Sequence, residues 1–237
     1  MPPTPTDRLR DCMILAILNL FGIVYFGLFA IQLCIFHFPS RPDGLLDMVS
    51  LLTFCGGVIF WCLTSLTYRI IKAFDQTESP DWQKLEFCGA MTLINATSIP
   101  YVLVQYTAFP SAQLSSVCAL SLVAVAYLVD FLGVDSDASV ARARFPYHCV
   151  SLGLLSLAPA IYALAEPGYT DSPLTTQFFR SALWIAMSAL NYAVRPLERL
   201  NLIVGWRPSL YAMHLAILYN ALVYSRVMMQ NSLLRSG

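Results

Sequence analysis

The chain reads as an all-α integral membrane protein, a bundle of seven transmembrane helices with its N-terminus in the cytosol. Three observations predict this. Of its 237 residues, 57% are hydrophobic and only 12% charged, about half the roughly 25% charge of an ordinary soluble domain. The apolar residues come in runs close to the ~20 residues that cross about 30 Å of hydrocarbon. The basic residues alternate between loops: Arg8, Arg10, Arg69, Lys72, Lys84, Arg142, Arg144, Arg195, Arg199 and Arg207 fall on the side of the N-terminus, against Arg41, Arg180, Arg226 and Arg235 opposite. Lys and Arg accumulate on the cytosolic side, so the N-terminus is placed inside and the C-terminus outside.

Residues 1–11, rich in proline and charge, are expected to form a cytosolic tail. Residues 12–228 form one membrane domain, and 229–237 a short C-terminal tail. The first span covers 12–38, an apolar run too long for the core of a cleaved signal peptide. Spans follow at 49–71, 86–107, 113–134 and 146–165. The sixth, 178–195, is interrupted by Arg180 and Asn191; the seventh covers 209–228. Pro100 and Pro159 sit inside spans three and five, where each removes a backbone donor and crowds the preceding turn. Hydroxyls such as Ser98 and neighbouring helices heal such breaks, or the kinks open a cavity. Both readings stand open in the sequence. The endoplasmic reticulum is the default membrane for such a chain.

Composition also excludes functions. A formal net charge of zero gives no electrostatic case for nucleic acid. The seven cysteines are scattered through apolar runs without a CxxC pair, and read as small buried apolar residues rather than zinc or disulfide ligands. The sequon at Asn95–Thr97 lies inside a span, where it is no acceptor. Trp61, Tyr101, Tyr162 and Trp184 suit boundaries or packing.

Ionisable residues inside spans are costly and point to function by default. Span two ends, span three begins and span seven begins on the cytosolic side. Ser65, Arg69, Glu86 and His214 are therefore expected at one depth, with Asp130 as a further member. Two readings follow. An Arg69–Glu86 ion pair with His214 beside it locks three helices together, or the group forms a pocket for the polar end of a lipophilic molecule. His37 and His148 read as interfacial or singly satisfied.

Several stretches resemble the progestin/adiponectin receptor and hemolysin III superfamily of seven-span membrane proteins. They are Lys84-Leu85-Glu86-Phe87 followed by Ser98-Ile99-Pro100, and the run Tyr192–Arg199, which is similar to that family's Y-A-x-R-x-P-E-R. The resemblance implies a zinc site built from a serine and histidine in span two, an acid in span three and two histidines in span seven. Ser65 matches the serine and Glu86 stands for the acid. Arg69 and Leu210 occupy two histidine positions, and only His214 matches. Arginine does not give up its proton to donate a lone pair, and leucine has none. A catalytic zinc usually has three protein ligands, so neither a metal nor a cofactor is expected.

Without the metal, the lipid amide hydrolysis suggested for this family loses its water activator. A metal-free enzyme acting on a lipophilic, prenylated or terpenoid substrate is the favoured expectation. Resemblance to small seven-span cyclases of fungal meroterpenoid pathways implies protonation of an epoxide or olefin. Glu86 would be the acid, with Asp130 and Glu198 as competitors, His214 the terminal base and Arg69 the counter-charge. Ser65, Tyr68, Tyr211 and Asp130 would line the substrate site, with Phe87, Tyr101 and Tyr106 as further aromatic walls against a carbocation. The alternatives are a non-catalytic receptor or lipid-homeostasis protein, and a residual lipid hydrolase. Apart from membrane lipids, the expected partner is a lipophilic small molecule.

Overall fold

Proline sets the helix starts. Pro5, Pro80, Pro110, Pro173, Pro196 and Pro208 each open a helix, because the first helical position has no use for a backbone N–H and suits the fixed φ of proline. In the computed structural model, which describes residues 5–37, 44–74, 80–133, 138–165, 172–199 and 207–234, the order is α1 (Pro5–Gln32), a π-turn (Leu33–His37), α2 (Leu45–Phe74), α3 (Pro80–Gln105), α4 (Pro110–Leu132), α5 (Ala138–Ala165), α6 (Pro173–Val194), the single turn α7 (Pro196–Arg199) and α8 (Pro208–Leu234). At the end of α6, Arg195 takes a left-handed φ of 52° and its N–H returns to the Asn191 carbonyl. Pro196 then forbids continuation and starts α7.

Among the described residues, five stretches are long and apolar enough to cross a membrane: Leu9–Phe36, Leu45–Phe74, Lys84–Gln105, Pro110–Leu132 and Arg144–Ala165. The protein is an all-α, membrane-integral bundle. α1 shows why lipid is the solvent. Its outward face carries Met13, Ile17, Leu20, Val24 and Leu28, while Asp11, Leu15, Asn19 and Phe26 are buried. That spacing of three and four residues is one helix face, and it turns aliphatic residues out and polar ones in.

Several boundaries differ from expectation, among them the starts of spans three and five, whose helices begin at Pro80 and Ala138 rather than at 86 and 146. Helix α1 begins at Pro5, so most of the expected tail is helical and Asp11 is turned inward. Helix α8 runs to Leu234, well into the expected C-terminal tail. Polar residues lowered the apolar signal at both ends, but side-chain partners in the bundle satisfy Asp11. Gly133 ends α4, and residues 134–137 of the expected fourth span and its loop lie outside the described set, as do Arg41 and Arg235.

Helices α2 and α3 are the most extensively packed pair, followed by α1 with α2 and α6 with α8. Glycine makes the α2–α3 approach possible. A methyl at Gly57 would lie 2.1 Å from the Ala96 Cβ, and one at Gly89 would lie 2.0 Å from the Thr64 Oγ1. Both are far inside contact distance. The main core runs through Phe26, Phe54 and Tyr224, whose rings meet edge to face. A second cluster of Met91, Ala124, Phe131 and Leu152 joins α3, α4 and α5.

Side-chain bonds arrange the helices up and down. Arg69 meets Glu86, Asp11 meets Tyr211 and Asp130 meets Arg144 at the end that holds the N-terminus. Ser172 meets Gln105 and Tyr101 meets Thr175 at the other. Pro100 and Pro159 sit within continuous helices, as does Pro146, which the early start of α5 at Ala138 makes internal. Near Pro100, Tyr224 donates to the Thr97 carbonyl at 3.1 Å, and Ser98 donates to the Ile94 carbonyl at 2.9 Å. At Pro159, Tyr106 donates to the proline carbonyl at 2.6 Å. Beside it lies an open cavity of about 440 Å³ lined by Tyr106, Ser115, Ala119, Leu155 and Tyr162 among others. That cavity is at the end away from the ionisable residues.

Candidate functional site

The site is built on one face of α2. Trp61, Ser65 and Arg69 succeed one another at intervals of one helical turn and so point the same way. Each meets a different neighbour. The Trp61 ring stacks on His214 of α8 at 5.3 Å and 23°. The Ser65 hydroxyl lies 3.1 Å from Nε2 of the same imidazole, and Arg69 donates to Glu86 of α3 at 2.7 Å.

His214 is held from both sides. Its Nδ1 is 3.0 Å from the carbonyl of Leu210, one turn back on α8. A carbonyl only accepts, so Nδ1 carries the proton and Nε2 is the acceptor. Ser65 therefore donates to Nε2, and the Asn19 amide of α1 donates to the Ser65 oxygen at 3.5 Å. The three side chains form a directed chain, Asn19 to Ser65 to His214, with 0%, 0% and 1% of their surfaces exposed.

The ion pair lies one turn nearer the end of the bundle. The Arg69 and Glu86 side chains are 10% and 18% exposed, so each needs the other. Tyr68 faces two cations, with the Arg69 guanidinium 4.9 Å and the Lys72 ammonium 5.4 Å from its ring centre, and Lys72 also donates to its hydroxyl at 3.1 Å. Tyr211 donates to Asp11 of α1, whose other oxygen is 3.5 Å from the Arg207 Nε. Arg69, Glu86, Ser65, His214, Tyr68 and Tyr211 are thus gathered at one end of the bundle.

Asp130 does not join them. Its oxygens lie 3.4 Å from Arg144 and 3.5 Å from His148, tying α4 to α5, and its side chain is 44% exposed. Its partners come from the adjacent helix in sequence. Among the described residues, His148 has Asp130 on one nitrogen only, and its ring stacks on Tyr127 at 4.5 Å. Glu198 caps α8, accepting from the Ser209 backbone at 3.1 Å and from its hydroxyl. Trp61, expected at a boundary or in packing, is buried against the site imidazole. Ser151 of α5 likewise bonds to the neighbouring helix, donating to the Tyr127 hydroxyl at 2.8 Å.

Sequence reasoning missed Asp11, Asn19 and Trp61. A signal existed for each. Asp11 and Asn19 lie eight residues apart, two turns on the same face of an apolar helix, and Trp61 precedes Ser65 by one turn.

Neither family models nor curated proteins match the chain. The site has to be read from its own geometry. Tested against a resident zinc, the donor set does not fit. A guanidinium and a leucine side chain supply no lone pair, both His214 nitrogens are already bonded, and Glu86 is engaged by Arg69. What the arrangement offers is an oriented imidazole whose acceptor nitrogen faces a hydroxyl, beside a fixed charge pair.

Proposed function

We propose that the protein is a metal-free, seven-span membrane enzyme acting on a lipophilic substrate, with this end of the bundle as its active site. The observation that carries this reading is the Ser65–His214–Leu210 arrangement. An imidazole fixed in one tautomer with a hydroxyl on its free nitrogen is equipment for proton transfer. Kinship with the progestin/adiponectin receptor and hemolysin III proteins, and loss of their metal, are part of the proposal.

The seven-span count is supported by α6 and α8, which at 22 and 27 residues are long enough to cross and continue the up-and-down order. The distribution of Lys and Arg supports a cytosolic N-terminus. The endoplasmic reticulum is the proposed membrane.

For the substrate we propose a prenylated or terpenoid compound, cyclised after protonation. Glu86 is then the acid, with Arg69 as its ion-pair partner at 2.7 Å. The polar end of the substrate must draw Arg69 away before Glu86 reaches the reacting atoms. His214 Nε2 is the acceptor for the proton lost at the end, and Tyr68 and Tyr211 present aromatic faces nearby. The test is expression in a host fed an epoxidised prenyl-phenol. Wild type is expected to convert it, and Glu86→Gln to bind without conversion. If neither converts it, cyclisation is wrong. The receptor reading draws on the complete burial of Ser65 and His214, and ligand binding unaffected by Glu86→Gln, with no turnover by wild type, would favour it.

A further inference from the structure

Ser65 behaves unlike several of the hydroxyls buried in the bundle. Ser50, Thr97, Ser98, Ser156 and Ser188 each donate to the carbonyl four residues back on their own helix, at 2.7 to 2.9 Å. Thr64, its neighbour in sequence, returns to the Trp61 carbonyl at 3.0 Å. That local bond is the default for a helical hydroxyl without water. Ser65 forgoes it and reaches across to His214 Nε2 instead. A hydroxyl donating to an imidazole whose other nitrogen is held by a third group is the arrangement of an activated nucleophile.

A second observation concerns the atoms around this pair. The Asn19 Oδ1 and the Arg69 Nε are buried and have no hydrogen-bond partner among the described residues. Asn19 is 0% exposed, and its amide already borders the Ser65 oxygen. Arg69 follows Ser65 by one turn on the same face. One orphan accepts and the other donates. Buried polar atoms are satisfied as a rule, so these two are an unused acceptor and an unused donor, matched to a group that offers both once the helices part. An ester carbonyl with an incoming or departing hydroxyl is such a group.

Resting on the reading of this end of the bundle as a substrate site, we propose that Ser65 is the nucleophile of an acyl-transfer reaction on a lipophilic ester, with His214 as its general base. Ser65 Oγ bonds to the carbonyl carbon as its proton passes to His214 Nε2. The displaced π pair collects on the carbonyl oxygen, where Arg69 Nε–H and the Asn19 amide N–H stabilise it. The adduct collapses, the bond to the leaving alcohol breaks, and that oxygen takes the proton from Nε2. Water or a second alcohol, giving its proton to Nε2, attacks the acyl-serine; collapse of that adduct expels Ser65 Oγ, which recovers the proton. The Leu210 carbonyl keeps the ring oriented throughout, the part a carboxylate plays in stronger triads. Substrate enters by parting α1 from α8, a thin seam whose Asp11–Tyr211 bond lies just beyond the imidazole.

The test is covalent trapping of the purified full chain, in nanodiscs, with an alkyl fluorophosphonate followed by mass mapping. We expect one adduct, on Ser65. Mapping the wild-type adduct makes the answer independent of how any variant folds. Ser65→Ala is expected to abolish it, and His214→Gln to slow it about 100-fold, the lower range for a general base. No adduct on wild type, an adduct elsewhere, or an unchanged rate in His214→Gln overturns the proposal. Conversion of the prenyl-phenol without any Ser65 adduct would remove the nucleophile and leave the enzyme reading standing. A Ser65 adduct without conversion would support the nucleophile and remove cyclisation.

Discussion

At the scale of single residues, the Arg69–Glu86 pair shows how burial couples two charges. Each is largely removed from water, so removing one strands the other. Breaking such a pair typically costs about 3–5 kcal/mol, whereas replacing both partners with apolar groups is often neutral. Glu86→Leu is therefore expected to destabilise the protein by about 3 kcal/mol, and the double variant Arg69→Met with Glu86→Leu to recover most of the loss. Thermal unfolding in detergent reads this directly. A double variant no more stable than the single one would mean the pair is screened by water that reaches it. Tyr211→Phe, which removes only the hydroxyl donated to Asp11, should cost about 1 kcal/mol, because Arg207 still faces the carboxylate.

Residue-level placement was partly legible in the sequence. Ser65, Arg69, Glu86 and His214 were assignable to one depth, because a helix turn and the order of spans fix depth. Their pairing was not legible. Whether His214 meets Arg69, Glu86 or Ser65 depends on the rotation of α8 about its axis. Asp130 illustrates the limit: Arg144 and His148 of the next helix satisfy it.

At the scale of elements, small residues decide how closely helices approach. Gly57 faces Ala96, while Gly56, its neighbour, has nothing within 4 Å of where a Cβ would stand. Gly57→Ala should therefore lower stability by about 1–3 kcal/mol through overpacking. Gly56→Ala should be neutral or slightly stabilising, since alanine favours the helix. Adding Ala96→Gly to Gly57→Ala should restore much of the loss. Equal melting temperatures for Gly56→Ala and Gly57→Ala would contradict the α2–α3 packing. At the start of α8, Glu198→Ala removes the acceptor of the Ser209 N–H and should cost about 1 kcal/mol, as for a lost helix cap. Proline opens six of the helices, but the apolar runs alone place several of those starts too late. The inward turn of α1 was harder to see, because charged residues at its beginning look like a tail until Tyr211 and Arg207 supply partners.

At the scale of the whole molecule, apolar runs and basic loops act together. On the proposed topology, a glycosylation tag joined after residue 237 is expected to be modified and one joined before residue 1 to stay unmodified. Modification of both, or of neither, would place the ends on one side and sink the odd span count. The exposed aliphatic face of α1 and the exposed Leu114, Leu122, Val125 and Val129 of α4 are where lipid chains lie against the bundle.

By itself, the sequence determined that this chain lives in a membrane, where its helices run, and which residues share a depth. Length, hydropathy and proline placement are properties of each segment, and the cost of exposing backbone to lipid leaves a segment little choice. Tertiary structure alone decided that Ser65 turns from its own helix to an imidazole, that Asn19 and Trp61 close around that pair, and that Glu86 is claimed by Arg69. Those outcomes depend on how helices rotate and how near they come, which arises from side chains meeting across the bundle.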